Sequence, residues 1–234
     1  MTEDMIGKIA VIAGGSPEVA EATARLLATR GAAGLVVAGR GAERGQAIAA
    51  IISAAGCPTH FLPVDLFRAQ DCTAIVTEAE LVFSRIDVLI VGAGEVPYLP
   101  LEETTPEKLD QLLAAKVRAP FLILQAAAGL MQRTGVQGTL IVTIGGTGGD
   151  GPRMLAAAAG RGALAAMVRG FAESLAADQI RAIGLVLDEA RTDAAAPPSE
   201  IASLIVDLAA GNVTSASGSI FELAQARTPG TVTA

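Results

Sequence analysis

The sequence predicts a single α/β domain built on a doubly wound parallel sheet of about seven strands, with helices on both faces. Three observations carry that prediction. The chain opens on an apolar run, a glycine turn and a helical pattern. A strand-then-helix alternation then repeats along its length, which with right-handed crossovers gives a parallel sheet. Finally, 51% of the 234 residues are hydrophobic but only 3% are aromatic, so the core consists mostly of Ala, Val, Ile and Leu. Side chains of that size let helices sit close on a sheet.

Each element has its own signal. Ile9 to Ala13 form a continuous apolar run, as expected of a strand covered on both faces. Gly14 and Gly15 break it, Ser16 is placed to act as N-cap, and Pro17 suits the first helical position, where a missing N–H costs nothing. Val19, Ala22 and Leu26 recur at helical spacing, and Gly31 marks a stop. A second strand at 35–38 leads through Gly39-Arg40 to a helix at 42–55. The third strand, His60 to Val64, ends at Asp65 and precedes a helix near 71–83. The fourth, Asp87 to Val91, ends in Gly92-Ala93-Gly94. After a Pro- and Glu-rich loop the pattern predicts one long helix from Pro106 to Gln132, a fifth strand from Thr139 to Ile144, and a glycine-rich loop from Gly145 to Pro152. A helix over 154–177, a strand over 182–187, a helix over 200–210 and a short strand over 219–223 complete the series. No linker or composition shift divides the chain, so one domain is expected over 1–226, with 227–234 as a tail.

Composition excludes several functions. A net charge of −7 argues against a nucleic-acid partner. No uninterrupted apolar run reaches about 18 residues, and Met1 to Gly7 carry two acids and no basic residue. The expectation is a soluble cytoplasmic protein with no membrane partner. Cys57 and Cys72 lack a neighbouring Cys or His at metal spacing and read as buried thiols, with no metal site. The single histidine, His60, reads as a strand residue.

The first turn carries the clearest chemistry. A strand that ends in Gly14-Gly15-Ser16 and opens a helix aims backbone N–H groups and a positive helix end at one point, which suits a phosphate. An ordinary βα unit without a ligand has the same local form.

Taken together, Gly14-Gly15-Ser16, Gly39-Arg40, Val64-Asp65-Leu66, the run from Arg85 to Gly94 and the run from Arg181 to Asp193 resemble the short-chain dehydrogenase/reductase family, in the family's order and over nearly the whole chain. The resemblance implies a Rossmann-like sheet and a nicotinamide cofactor. It places the pyrophosphate at Gly14, Gly15 and Ser16, the adenine at Asp65, and a ribose near Gly92, Ala93 and Gly94. Arg40 falls where the 2′-phosphate of NADP would be recognised, and no acid at Gly39 waits for a ribose diol. One departure stands out. Where the family pattern has its second and third turn glycines, this chain has Glu18 and Ala20, and a carboxylate at position 18 opposes a pyrophosphate.

The resemblance also implies a catalytic serine, tyrosine, lysine and asparagine, and none is present. Gly145-Gly146 stand at the serine segment, with Thr147 the nearest hydroxyl. Ala157 takes the tyrosine position, Arg161 the lysine and Lys116 the asparagine. The chain's one tyrosine is Tyr98. The expected function is therefore binding without the standard chemistry: of NADP(H), of a small anion held by Lys116, Arg161 and Thr147, or of a partner subunit. The alternative is an NADP-dependent oxidoreductase that takes its proton from Lys116, Tyr98 or a group of the substrate. A third possibility, for which Glu18 speaks, is a structural subunit that binds no nucleotide. Family tetramers bury the helices corresponding to 106–132 and 154–177, so a dimer, a tetramer or a hetero-oligomer with a related subunit is expected.

Overall fold

The computed structural model describes residues 4–92, 101–145, 155–187 and 196–223. Seven strands form one sheet, ordered β3-β2-β1-β4-β5-β6-β7, with every pair parallel. The strands are β1 (Ile9–Gly14), β2 (Gly34–Gly39), β3 (Thr59–Pro63), β4 (Val88–Gly92), β5 (Thr139–Gly145), β6 (Arg181–Leu187) and β7 (Ile220–Glu222). The helices are α1 (Pro17–Thr29), α2 (Ala42–Ala54), α3 (Ala69–Phe83), α4 (Pro106–Leu113), α5 (Ala119–Thr134), α6 (Leu155–Ser174) and α7 (Pro198–Ala210). The doubly wound parallel sheet expected from the alternation is the observed fold.

Strand alternation divides the core into two layers. Val11, Ala13, Leu89, Val91, Leu140 and Val142 face α3, α5 and α6. Ala10, Ile12, Val88, Ile90, Ile141 and Ile183 face the opposite way, onto Ala24 and Leu27 of α1 and Ile201, Ile205 and Val206 of α7. Small side chains on both sides of the sheet account for the near-absence of aromatics.

The sheet is tied at its N-terminal edge by Asp87, which is 3% exposed. Its carboxylate accepts the Ile9 N–H at 2.9 Å and the Arg85 guanidinium, and lies 3.6 Å from Lys8 Nζ. Its own N–H donates to Ile9 O at 2.9 Å, and its carbonyl accepts Thr139 N–H at 2.9 Å. Asp87 thus joins β1 to β5 just ahead of β4, rather than opening that strand as the pattern suggested.

One sequence expectation needs correction, and a second point concerns the same stretch. The helix predicted over Pro106–Gln132 is interrupted by a π-helical turn, Ala114–Arg118. Pro120 lies two residues beyond that turn. It cannot donate to the carbonyl four residues back, at Lys116, and its ring crowds that oxygen; widening the preceding turn removes the conflict. Second, the stretch Pro106–Thr134 is long enough, and at mean hydropathy 1.3 over its best window apolar enough, to cross a membrane by length and composition. Lys116 and Arg118 interrupt it, so it contains no uninterrupted apolar run of that length. Its apolar residues serve the core here, since Ile123, Leu124, Ala127, Leu130 and Met131 are all buried in the layer beneath β4 and β5.

Candidate functional site

The strand order reverses between β1 and β4, and at the C-terminal edge of an open parallel sheet such a reversal leaves a crevice suited to ligands. Glycine makes this crevice possible. Gly14 and Gly15 have φ of +71° and +84°, a region other residues rarely occupy. A Cβ on Gly14 would stand 2.7 Å from Gly92 O, and one on Gly92 only 2.4 Å from Gly15 Cα. The turn therefore rests its backbone directly on the end of β4. Ser16 is the N-cap residue of α1, as expected, but its hydroxyl makes no cap bond; it donates to Glu18 Oε2 at 2.8 Å instead.

Two clefts meet at this turn. The first, of about 510 Å³, opens between α1, α2 and the ends of β2 and β3, and Arg40, Arg44 and Asp65 line it. The second, of about 210 Å³, opens between α1, α7 and the ends of β4 and β5, and Ser16, Thr143 and Gly145 line it. Gly14, Gly15 and Ala20 border both. Ala20 is thus accommodated at a position where the family pattern has glycine.

Arg40 is exposed on the wall of the first cleft, and among the described residues it makes no hydrogen bond or ion pair. Asp65 Oδ1 accepts Phe67 N–H at 3.1 Å, and Oδ2 lies 3.8 Å from Arg68 Nε. Asp65 therefore shapes the turn before α3 while it borders the cleft. Arg44, in the first turn of α2, donates from Nη1 to Glu18 Oε1 at 3.0 Å and from Nη2 to Glu21 Oε2 at 3.1 Å. Arg25 Nε donates to Glu21 Oε1 at 3.1 Å. The Ser16 hydroxyl, the Glu18 backbone N–H and Arg44 hold the Glu18 carboxyl below its ordinary value, and Arg44, then Arg25, do the same for Glu21.

Beyond β5, the π-turn presents Lys116. A Cβ at Gly160 of α6 would stand 3.0 Å from Lys116 Cβ and 3.3 Å from Cγ, and a Cβ at Gly145 would stand 3.8 Å from Nζ. The lysine stem therefore passes α6 where a side chain is missing, and its ammonium ends beside Gly145 at the margin of the second cleft. Arg161 follows Gly160 on α6 and is half-buried. Ala93, Gly94, Tyr98 and Thr147 lie outside the described residues.

A family model for short chain dehydrogenases matches residues 8–200. This chain belongs to that family. Among curated relatives, an uncharacterised oxidoreductase of Thermotoga maritima is 31% identical over 168 residues, covering 71% of this chain and 65% of the relative. Hydroxynaphthalene reductase arp2 of Aspergillus fumigatus is 27% identical over 172 residues, covering 74% of this chain and 61% of the relative. The chain thus spans less than two thirds of the length of either relative. Among solved structures, an NADH-dependent reductase complexed with NAD superposes with a TM-score of 0.83 at 22% identity, covering 95% of this chain and 97% of its own, a likeness of fold. A metagenomic short-chain oxidoreductase in complex with NADP superposes with a TM-score of 0.79 at 27% identity, covering 94% of this chain and 98% of its own.

The cysteines and the histidine lie away from the two clefts. Cys57 and Cys72 are buried and unbridged, their thiols pushed up chiefly by burial, and Cys57 Sγ donates to Ala32 O at 3.2 Å. His60 stands on the outer strand with Nδ1 3.6 Å from Glu78 Oε1 and its ring edge-on to Phe83. Among the described residues no group of three or more His, Cys, Asp and Glu gathers as metal ligands. Sequence reasoning missed Arg44 and Thr143. For Arg44 the available signal was that Glu18 and Glu21, three apart on α1, share a helix face that calls for a cation.

Proposed function

We propose that this protein binds NADP(H) across the two clefts and lacks the tyrosine-dependent proton transfer usual in its family. The observation that supports this most is the meeting of a larger and a smaller cleft at Gly14 and Gly15, a layout that fits two nucleosides joined by a pyrophosphate at a helix N-terminus. Gly14, Gly15 and Ser16 would take the pyrophosphate, Asp65 the adenine side, and Gly92, Ala93 and Gly94 a ribose. Arg40, exposed on the wall of the larger cleft, favours the 2′-phosphate of NADP over the diol of NAD. The absence of standard chemistry rests on Ala157 and Arg161: a methyl cannot donate a proton, and a guanidinium keeps its own. Thr147, with Lys116 and Arg161, would instead present an anion-binding wall.

Calorimetric titration tests the reading. NADPH is expected to bind in the micromolar range, and Arg40→Ala to weaken it roughly 10- to 100-fold, with little change for NADH. A folded chain that takes up neither nucleotide at millimolar concentration would overturn the proposal and leave a structural subunit.

A second reading has a specific observation in its favour. The Lys116 ammonium beside Gly145 is placed for a carbonyl at the second cleft, and there Lys116 would hold the proton that the carbonyl oxygen takes as hydride reaches its carbon. An oxidoreductase of this kind would consume NADPH with a carbonyl compound and lose that turnover on Lys116→Ala; loss on Tyr98→Phe instead would move the donor to that loop.

We also place the chain in the cytoplasm, where its two unbridged cysteines suit a reducing compartment, and propose that it works as an oligomer. Phe121 is 43% exposed and Leu109 and Leu113 nearly as much, and the Phe121 ring lies 5.8 Å from that of Phe171 of α6, tilted by 56°. This apolar surface runs over α4, α5 and α6, the helices through which family oligomers assemble.

A further inference from the structure

We infer that Arg44 cancels the charge of Glu18, and that with Glu18 in place the turn accepts a nucleotide pyrophosphate because of that pairing; the inference rests on the NADP(H) reading above. A dinucleotide that fills both clefts must lay its pyrophosphate where they meet, at Gly14 and Gly15. Glu18, in the first turn of α1, lines neither cleft itself, but its carboxylate accepts the hydroxyl of Ser16, which borders the second cleft, at 2.8 Å. A bare carboxylate there repels phosphate. Arg44 reaches it from the opposite wall of the first cleft, at 3.0 Å, and its second arm takes Glu21 at 3.1 Å. Glu21 is also paired with Arg25 at 3.0 Å. Two carboxylates and two guanidiniums thus sum to zero across α1 and α2.

That neutral group separates the roles of two arginines on one cleft. Arg40 has no charged partner among the described residues and remains the cation that distinguishes a phosphate monoester. Arg44 is occupied by the carboxylates and acts through them. It is a positioning residue, and its effect belongs to the pyrophosphate, which NADPH and NADH share.

The test is a titration of NADPH and NADH into the unaltered protein, Arg44→Ala, Glu18→Gln and the double variant, with a thermal melt of each. Arg44→Ala is expected to weaken both nucleotides about tenfold, and addition of Glu18→Gln to restore both. Glu18→Gln alone is expected to tighten both a few fold. Rescue by the second substitution is the outcome that a merely structural role for Arg44 would not produce. Affinity unchanged in Arg44→Ala overturns the inference while the nucleotide reading stands. Loss confined to NADPH, without rescue, overturns it in favour of Arg44 as a direct phosphate ligand. A protein that binds only as Glu18→Gln shows that the pair does not cancel, and binding by none of the four overturns both readings together.

Discussion

Arg40 and Arg44 stand four residues apart and carry the same charge, yet among the described residues only Arg44 is paired with carboxylates. Glu18 and Glu21 are both held below their ordinary 4.5, so the folded state binds fewer protons than the unfolded chain through that region. Their contribution is fully present above 4.5 and is lost as pH falls through the lowered values. A thermal melt followed from about pH 6 to about pH 3 should therefore fall less steeply in Arg44→Ala than in the unaltered protein. Asp87 gives a larger effect at the other edge of the sheet. Asp87→Ala leaves the buried Ile9 N–H and the Arg85 guanidinium without their acceptor, and urea denaturation should show a loss of about 2–3 kcal/mol. At this scale the sequence was legible wherever a residue's role follows from its chain neighbours. Gly14, Gly15 and Pro17 could be placed because a turn into a helix constrains them locally. The direction of Glu18 could not, because Arg44, which fixes it, comes from another helix.

The β1–α1 turn and β4 act as one piece, since their backbones touch. Gly92→Ala would drive a Cβ to 2.4 Å from Gly15 Cα, and because the obstacle is backbone it cannot rotate away. The expected result is a protein that loses nucleotide affinity by at least tenfold and about 1–3 kcal/mol of stability. Gly160→Ala is milder: its Cβ meets the Lys116 stem at 3.0 Å, so α6 and the π-turn must part by a few tenths of an ångström. That variant should keep NADPH binding, which lies across the turn, and alter whatever depends on Lys116. Sequence patterns located the strands and helices here but blurred their ends and missed the π-turn. β3 begins at Thr59, ahead of the predicted start, because an outer strand with one partner tolerates polar residues such as Thr59 and His60. The helix over 106–132 read as continuous because its apolar spacing runs through Pro120, whose effect falls on hydrogen bonds rather than on hydropathy. The resemblance puts Lys116 at the asparagine position and Gly145 at the serine segment; that the lysine stem reaches Gly145 past the missing side chain at Gly160 is visible only with α6 packed on the π-turn.

For the whole molecule, the apolar surface over α4, α5 and α6 predicts self-association. Phe121→Asp should leave the fold intact, as the ring is 43% exposed, and light scattering should report the monomer where the unaltered chain gives a dimer or tetramer. The sheet order has a consequence of a different kind, for how the molecule is made. β1 sits between β2 and β4, so its second edge is covered only after everything from Gly14 to Val88 has been synthesised. At typical translation rates of about 5–20 residues per second, that apolar strand edge stays open for roughly 4–15 s. Every later strand also joins beside one already in place by a helical crossover, never by a hairpin, so local contacts offer little early protection. Yield in a cell should therefore respond more to slowed translation and to chaperone supply than the stability of the finished sheet would suggest.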